Sequence, residues 1–310
     1  MYNKKKILIL GGTGFIGSAI SKSLKKNYNI KIFSRAEFGD LRKELSLKKF
    51  LSKNKNFDYI INCAAHVGGL KYLARNSADI TNDNILIYLN VYKNLIKFKK
   101  KPIVINLISN CFYPSKLKIQ SEENWQDGEM HDSVESFGIG KRVLVILSKN
   151  YDKQYNIKTL NLILPNAFGP GDHLDPERSH ALNAIIVRMI KSKNDGDNSF
   201  EVWGSGKPKR EWIYVEDVVR VMKLLLNKKI KNSLILNIGQ NKAFSINEIA
   251  FTIKKILKYK CKIKNNRKYP DGAPLKQLSN FKFKKYFKNF KFTNFESAVN
   301  NTIKAYLKNN

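Results

Sequence analysis

Short β-rich apolar runs alternate with longer stretches of helical spacing through the first half of the chain. The runs Lys6–Leu10, Ile30–Ser34, Tyr59–Cys63, Ile103–Ile108 and Thr159–Leu164 predict strands. Between them, Ile85, Leu89, Tyr92 and Ile96 recur at helical intervals, as do Val143, Ile146 and Leu147. A strand-helix-strand rhythm of this kind predicts parallel strands joined by helices, an α/β fold with a doubly wound sheet.

The rhythm breaks after Pro165. Asn166–Ser179 is rich in Gly, Pro and Asp and predicts a loop, a helix follows through Ile190, and Asn194–Ser199 predicts a turn. Trp203–Arg210 again predicts a loop, Glu216–Leu226 a helix, and Leu234–Ile238 a further strand rejoining the first sheet. Ser245 with Glu248 three residues on predicts a capping box, and a last helix is expected near Phe295–Leu307. The expected organisation is a first domain over residues 1–165 with about 212–240, and a smaller C-terminal substrate-binding lobe from 166–211 and 241–310.

Composition narrows the class. No apolar run approaches the roughly 20 residues that a membrane helix requires, so no membrane insertion and a cytoplasmic location are expected. Cys63, Cys111 and Cys261 are too scattered for a disulfide framework or a zinc site, so no metal is expected. The formal charge of +32 comes mostly from lysines spread along the whole chain, which reads as a solvated bias that draws phosphates. Nucleic-acid binding is the competing reading, but sequence-specific readers tend to cluster arginine.

The densest chemical signal is Gly11-Gly12-Thr13-Gly14-Phe15-Ile16-Gly17, which follows the first predicted strand and opens a helix. Glycines make the turn and admit a pyrophosphate, and the helix N-terminus offers it amides and positive charge. At the end of the second strand stands Phe33-Ser34-Arg35, with no carboxylate until Glu37. A basic residue there suits the 2′-phosphate of NADP, which places NADP ahead of NAD.

Further motifs accompany that turn: Ala64-Ala65-His66-Val67-Gly68-Gly69, Ser109-Asn110-Cys111-Phe112-Tyr113-Pro114, Pro165-Asn166-Ala167-Phe168-Gly169-Pro170, Ser179-His180, Trp203-Gly204-Ser205-Gly206 with Arg210-Glu211, and Pro270-Asp271-Gly272. Together they make the chain, from Gly11 to about Lys276, resemble the GDP-L-fucose synthase family of extended short-chain dehydrogenases. The resemblance implies a Rossmann sheet with a sugar-nucleotide lobe, a nucleotide-sugar substrate and a homodimer. It implies a cofactor site of Gly11, Gly14, Phe15, Ile16, Gly17, Ser34, Arg35, Asp40, Leu41, Ala64, Ala65, Lys141, Pro165, Asn166 and His180. Ser109 would bond the sugar's keto oxygen, Lys141 the nicotinamide ribose, and Cys111 with His180 would move protons beside the ketone. Asn166, Arg188, Trp203, Arg210 and Lys276 would grip substrate or its diphosphate.

One departure bears on catalysis. Where the family pattern has Tyr-x-x-x-Lys, this chain has Phe137-Gly138-Ile139-Gly140-Lys141, and phenyl cannot donate a proton. Leu275 and Ser279 replace the family's usual arginine and aspartate. The expectation is an NADP-dependent epimerase and/or reductase of a nucleotide-activated 4-keto-6-deoxy sugar, GDP-linked by preference. The alternative is a cofactor- and sugar-nucleotide-binding protein disabled at Phe137.

Overall fold

The run Ile7-Leu8-Ile9-Leu10 has no exposed residue, because its strand is central and covered on both faces. The computed structural model describes residues 4–172, 181–269 and 271–308. In chain order its first half comprises β1 (Lys6–Leu10), α1 (Phe15–Leu24), β2 (Asn29–Phe33), α2 (Arg35–Phe38), α3 (Glu44–Lys53), β3 (Tyr59–Asn62), α4 (Leu70–Arg75), α5 (Ser77–Leu95), β4 (Ile103–Ser109), α6 (Glu135–Tyr155) and β5 (Thr159–Leu164). There follow β6 (Asn166–Phe168), α7 (Ala181–Asn194), β7 (Ser199–Trp203), β8 (Lys209–Tyr214), α8 (Val215–Leu226) and β9 (Leu234–Asn237). The chain continues through β10 (Ala243–Ser245), α9 (Ile246–Ile256), β11 (Lys262–Asn266), β12 (Leu275–Lys276), α10 (Phe281–Tyr286) and α11 (Phe295–Lys308).

The main sheet runs β2-β1-β3-β4-β5-β9, every pair parallel. This is the expected doubly wound fold, and β9 rejoins the sheet as expected. On one face, Ile20 and Leu24 of α1 and Val218, Met222 and Leu225 of α8 close over Ile7, Ile9 and Ile105. On the other, α3, α5 and α6 bury Phe50, Val91 and Leu144 against Leu8, Ile60 and Val104. A separate core joins α7, α9 and α11 to Phe200, Trp212 and Phe168. The chain order reverses between β1 and β3, and crevices at such points, beyond the carboxyl ends of the strands, are where ligands bind.

Three asparagines cross the sheet in register, Asn62 opposite Asn106 and Asn106 opposite Asn161. Asn106 Nδ2 donates to Asn161 Oδ1 at 2.9 Å and to Tyr92 Oη at 3.0 Å, and Asn161 Nδ2 donates to Ser148 Oγ at 2.8 Å. Asn62 completes the ladder and also accepts from the Ala64 amide at 3.2 Å.

Several expectations are corrected. The first residues of the expected Asn166–Ser179 loop form β6, which pairs in parallel with β8; residues 173–179 lie outside the described residues. The expected Trp203–Arg210 loop is bounded by the end of β7 and the start of β8, strands that the reading did not anticipate. Their polar residues hid them: Glu211 is fully buried in β8 because its carboxylate accepts from the amides of Leu278 and Asn241 at 2.7 and 2.9 Å. The helical periods in α5 and α6 are right, but of the residues that mark them only Tyr92 is fully buried. The buried face of α5 carries Asn84, Asn90 and Asn94 beside Ile87, Tyr88 and Val91, while Ile85 and Leu89 are only half-buried. Each asparagine donates to a main-chain carbonyl, which makes an otherwise polar position tolerable inside. The capping box forms as expected, with Glu248 N donating to Ser245 Oγ at 3.1 Å.

Replacing Asn106 with alanine strands Asn161 Oδ1 and Asn62 Nδ2 inside the protein, while Tyr92 Oη keeps Thr159 Oγ1 at 3.2 Å. A loss of about 1–3 kcal/mol is expected from urea unfolding, whereas an unchanged midpoint would show the ladder to be dispensable.

Candidate active site

Main-chain geometry at the end of β1 fixes the site. Gly11 has φ +71°, and a Cβ there would stand 2.8 Å from the Ala64 amide nitrogen, so the turn seats against the end of β3 only as glycine. A Cβ on Gly17 would collide with the Gly11 carbonyl oxygen, so that glycine lets α1 pack beneath its own turn. Gly14 differs: a Cβ there would meet only the Gly11 oxygen, at 3.5 Å. Gly14 caps α1 without any side-chain bond, so the leading amides, those of Ile16 and Gly17 among them, face an open cradle. The cradle fits a pyrophosphate.

Beyond β2, Ser34 opens α2, and the Arg35 side chain is 77% exposed with Nε 3.3 Å from Asp40 Oδ2. Arg42, which sequence reading passed over, sits at the centre of this end. It bonds Asp40 at 2.5 Å and Asp83 at 2.7 Å, and hydrogen bonding from Arg42 holds the Asp40 carboxyl down at about 2. Asp83 also takes His66 Nδ1 at 2.7 Å, and His66 Nε2 meets Tyr72 Oη at 2.8 Å. Leu41 is buried beneath, and Ala64 and Ala65 line the end of β3.

Ser109 ends β4, and its Oγ accepts from the Cys111 amide at 3.3 Å, opening a tight 3₁₀ turn over Asn110–Phe112. Asn110 is buried and donates to Gln120 Oε1 at 3.0 Å, which braces the turn. Cys111 Sγ lies 3.8 Å from Lys276 Nζ. Helix α6 presses on this turn because Gly138 lacks a Cβ, which would stand 2.7 Å from the Cys111 carbonyl oxygen. One helical turn on, Lys141 Nζ lies 5.1 Å from the Phe137 ring centroid, donates to Tyr88 Oη at 2.6 Å and approaches Leu107 O at 3.5 Å. Burial lowers the Lys141 ammonium to about 8, against the pull of Cys111 and Cys63. Burial pushes the Cys63 thiol up to about 12, with Lys141 opposing.

Pro165 and Asn166 follow β5, and Asn166 Nδ2 donates to Glu211 O at 3.2 Å. Burial pushes the Glu211 carboxyl up to about 7, with four main-chain amides resisting. The Arg188 guanidinium lies 4.3 Å over Trp203 and donates to Glu201 O at 2.7 Å. Trp203 stacks on Tyr269 at 4.7 Å, and Lys71 of α4 stands 4.9 Å over Tyr269. Tyr269 and Lys71 are additions that a motif search could not supply, because each joins the group only through the fold. Arg210 bonds the Lys209 carbonyl; burial lowers its pKa, while Cys111 and Asp271 raise it. The structure thus brings Ser109, Cys111, Lys141, Arg210 and Lys276 to one cleft. His180, the expected partner of Cys111, lies outside the described residues. Among the described residues no cluster has the makings of a metal site, and no helix is long and apolar enough to cross a membrane.

The glycine turn yields a paired test. Gly17→Ala is expected to lower the thermal midpoint by several degrees, through a clash worth about 1–3 kcal/mol, and Gly14→Ala to leave it nearly unchanged. Equal effects would contradict the geometry.

Proteins similar to this chain match it over most of its length. A probable GDP-L-fucose synthase of Drosophila melanogaster is 28% identical over 316 residues, covering 98% of each chain. A GDP-L-fucose synthase of Sinorhizobium fredii is 31% identical over 277 residues, covering 89% of this chain and 87% of its own. Among solved structures, a GDP-L-fucose synthetase from Naegleria fowleri bound to NADP superposes with a TM-score of 0.87 at 27% identity, covering 100% of this chain and 96% of that one. A UDP-glucose 4-epimerase from Thermotoga maritima shares the fold, with a TM-score of 0.83 at 21% identity. Matched by the family's model over residues 7–239, the chain belongs to the NAD dependent epimerase/dehydratase family.

Proposed function

We propose that the chain is an NADP-dependent epimerase and reductase of a GDP-linked 4-keto-6-deoxy sugar. The observation that carries this reading is the convergence of the open glycine cradle, the Ser109–Cys111 turn and the Lys141 ammonium on one edge of the sheet. Similarity over nearly the whole chain to proteins named as GDP-L-fucose synthases supports the sugar nucleotide, and supports turnover over the binding-only alternative. Arg35 and Arg42 beside the end of β2 support the phosphorylated coenzyme.

The residues divide the work. Amides of the glycine turn hold the pyrophosphate, and Lys141 holds the nicotinamide ribose. When bound, the reduced nicotinamide supplies a hydride. Ser109 donates a hydrogen bond to the keto oxygen and stabilises the enolate that forms when a flanking proton leaves. Cys111, with His180, removes and returns protons at the flanking carbons. Arg188, Trp203, Arg210, Asn166 and Lys276 grip nucleotide and diphosphate. Phe137 has no proton to give, so reduction draws the oxygen's proton from Ser109, a water or another hydroxyl. Epimerisation, which needs no hydride, is the stronger activity.

In heavy water with GDP-4-keto-6-deoxymannose, deuterium uptake beside the ketone is expected, and Cys111→Ala abolishes it. NADPH oxidation is expected to be slow and to rise about ten-fold or more in Phe137→Tyr, since general acid catalysis is typically worth 10²–10⁴-fold. Absence of both signals in a chain that still binds NADPH would overturn the catalytic reading.

The expected division into a coenzyme domain (1–165 with about 212–240) and a sugar-nucleotide lobe (166–211 and 241–310) belongs to the same proposal, supported by the separate core that joins Phe200, Ile249 and Ile303. So do a cytoplasmic location and pairing of two copies through α5 and α6, where Leu86 and Ile146 are exposed beside half-buried Val143 and Leu147. Ile146→Glu is expected to convert a dimer to a monomer in sedimentation; a monomeric starting protein would remove the pairing.

A further inference from the structure

The hydroxyl that position 137 lacks has a counterpart on another helix. Tyr88 lies on α5, fully buried, and its Oη accepts from Lys141 Nζ at 2.6 Å. A plain core aromatic at this place would be served by phenylalanine, since a buried hydroxyl costs free energy unless it is bonded. The direction of the bonding is set by Asn84. Its Nδ2 donates to the carbonyls of His66 and Ile80 at 2.9 and 2.8 Å, and its Oδ1 accepts from the His66 amide at 3.0 Å. Asn84 Oδ1 is therefore the acceptor for the Tyr88 proton at 3.3 Å, which leaves the Tyr88 lone pairs for the ammonium. A second feature brings the pair together. A Cβ on Gly140 would stand 3.1 Å from Asn84 Cβ, so glycine at 140 lets α6 settle onto α5 and puts Lys141 over Tyr88.

We infer that Tyr88 is a positioning residue for Lys141, fixing the ammonium from the α5 side and favouring its charged form for the coenzyme ribose. The inference rests on the coenzyme role of Lys141 proposed above. Among the described residues, the titratable groups around Lys141 are Tyr88 on α5, Cys63 beyond β3 and Cys111 beyond β4. Burial already brings the ammonium down to about 8, so its charge changes just above neutrality and the hydroxyl's contribution is measurable. An acceptor bonded to the charged form raises an ammonium's pKa, so removing it lowers that pKa.

The test uses Tyr88→Phe, which keeps the ring and its space. Lys141 is titrated directly in the coenzyme-free protein by carbon NMR of lysines labelled at Cε, with Lys141→Met assigning the signal. NADPH affinity is then followed against pH by coenzyme fluorescence. In Tyr88→Phe the Lys141 midpoint is expected to fall by about one pH unit, and the pH at which NADPH affinity is lost to fall with it. A Lys141 midpoint unchanged in folded Tyr88→Phe overturns the inference, whether or not NADPH binds. A fallen midpoint with no NADPH binding at any pH, wild type included, overturns the coenzyme reading of the site and the assigned role of Tyr88 with it. Should Tyr88→Phe not fold, Asn84→Ala frees the hydroxyl's orientation in place, and a Lys141 midpoint identical to wild type in that variant counts against the inference.

Discussion

The close approach of two backbones, Gly11 at the end of β1 and Ala64 at the end of β3, is the constraint on which the site depends. A parallel sheet brings the carboxyl ends of its strands to one edge, and the reversal of strand order between β1 and β3 opens a crevice there. Glycine at 11 closes the base of that crevice, glycine at 17 seats α1 against it, and Gly14 leaves its mouth open. Side chains from β4 and α6 then meet at the same edge of the main sheet, and β12, paired with β8 outside that sheet, brings Lys276 to them.

Buried polar groups hold these pieces in register. The Asn62–Asn106–Asn161 ladder ties three central strands together and reaches the Ala64 amide. Asn110 and Gln120 brace the turn that carries Cys111, and Glu211 ties β8 to the segments around Asn241 and Leu278. An unsatisfied partner in any of them costs about 1–3 kcal/mol, so they specify an arrangement that apolar packing alone would leave looser.

The sequence made the main sheet legible because its strands are short apolar runs set off by helical spacing, and the glycine turn because its chemistry is local. The strands outside the main sheet were hidden. The charges in Lys209-Arg210-Glu211 and the lysines of β11 mask strands whose burial is decided by distant partners. The buried face of α5 was hard to phase because Asn84, Asn90 and Asn94 pass for solvent-facing residues until their main-chain partners are known, and that of α6 because Lys141 and Ser148 do. Motif resemblance brought Ser109, Cys111, Lys141, Arg210 and Lys276 into view, and the fold gathers them. Arg42, Tyr88, Lys71 and Tyr269 carried no signal, since each acquires its meaning only from a neighbour far away in sequence.

The most direct measurement is a titration of the purified chain with NADPH and NADH, read by coenzyme fluorescence. If the first βα turn cradles a pyrophosphate and Arg35 and Arg42 favour a 2′-phosphate, NADPH binds in the micromolar range and more tightly than NADH. Dissociation constants of millimolar or weaker for both coenzymes contradict the coenzyme site, and with it the proposed chemistry.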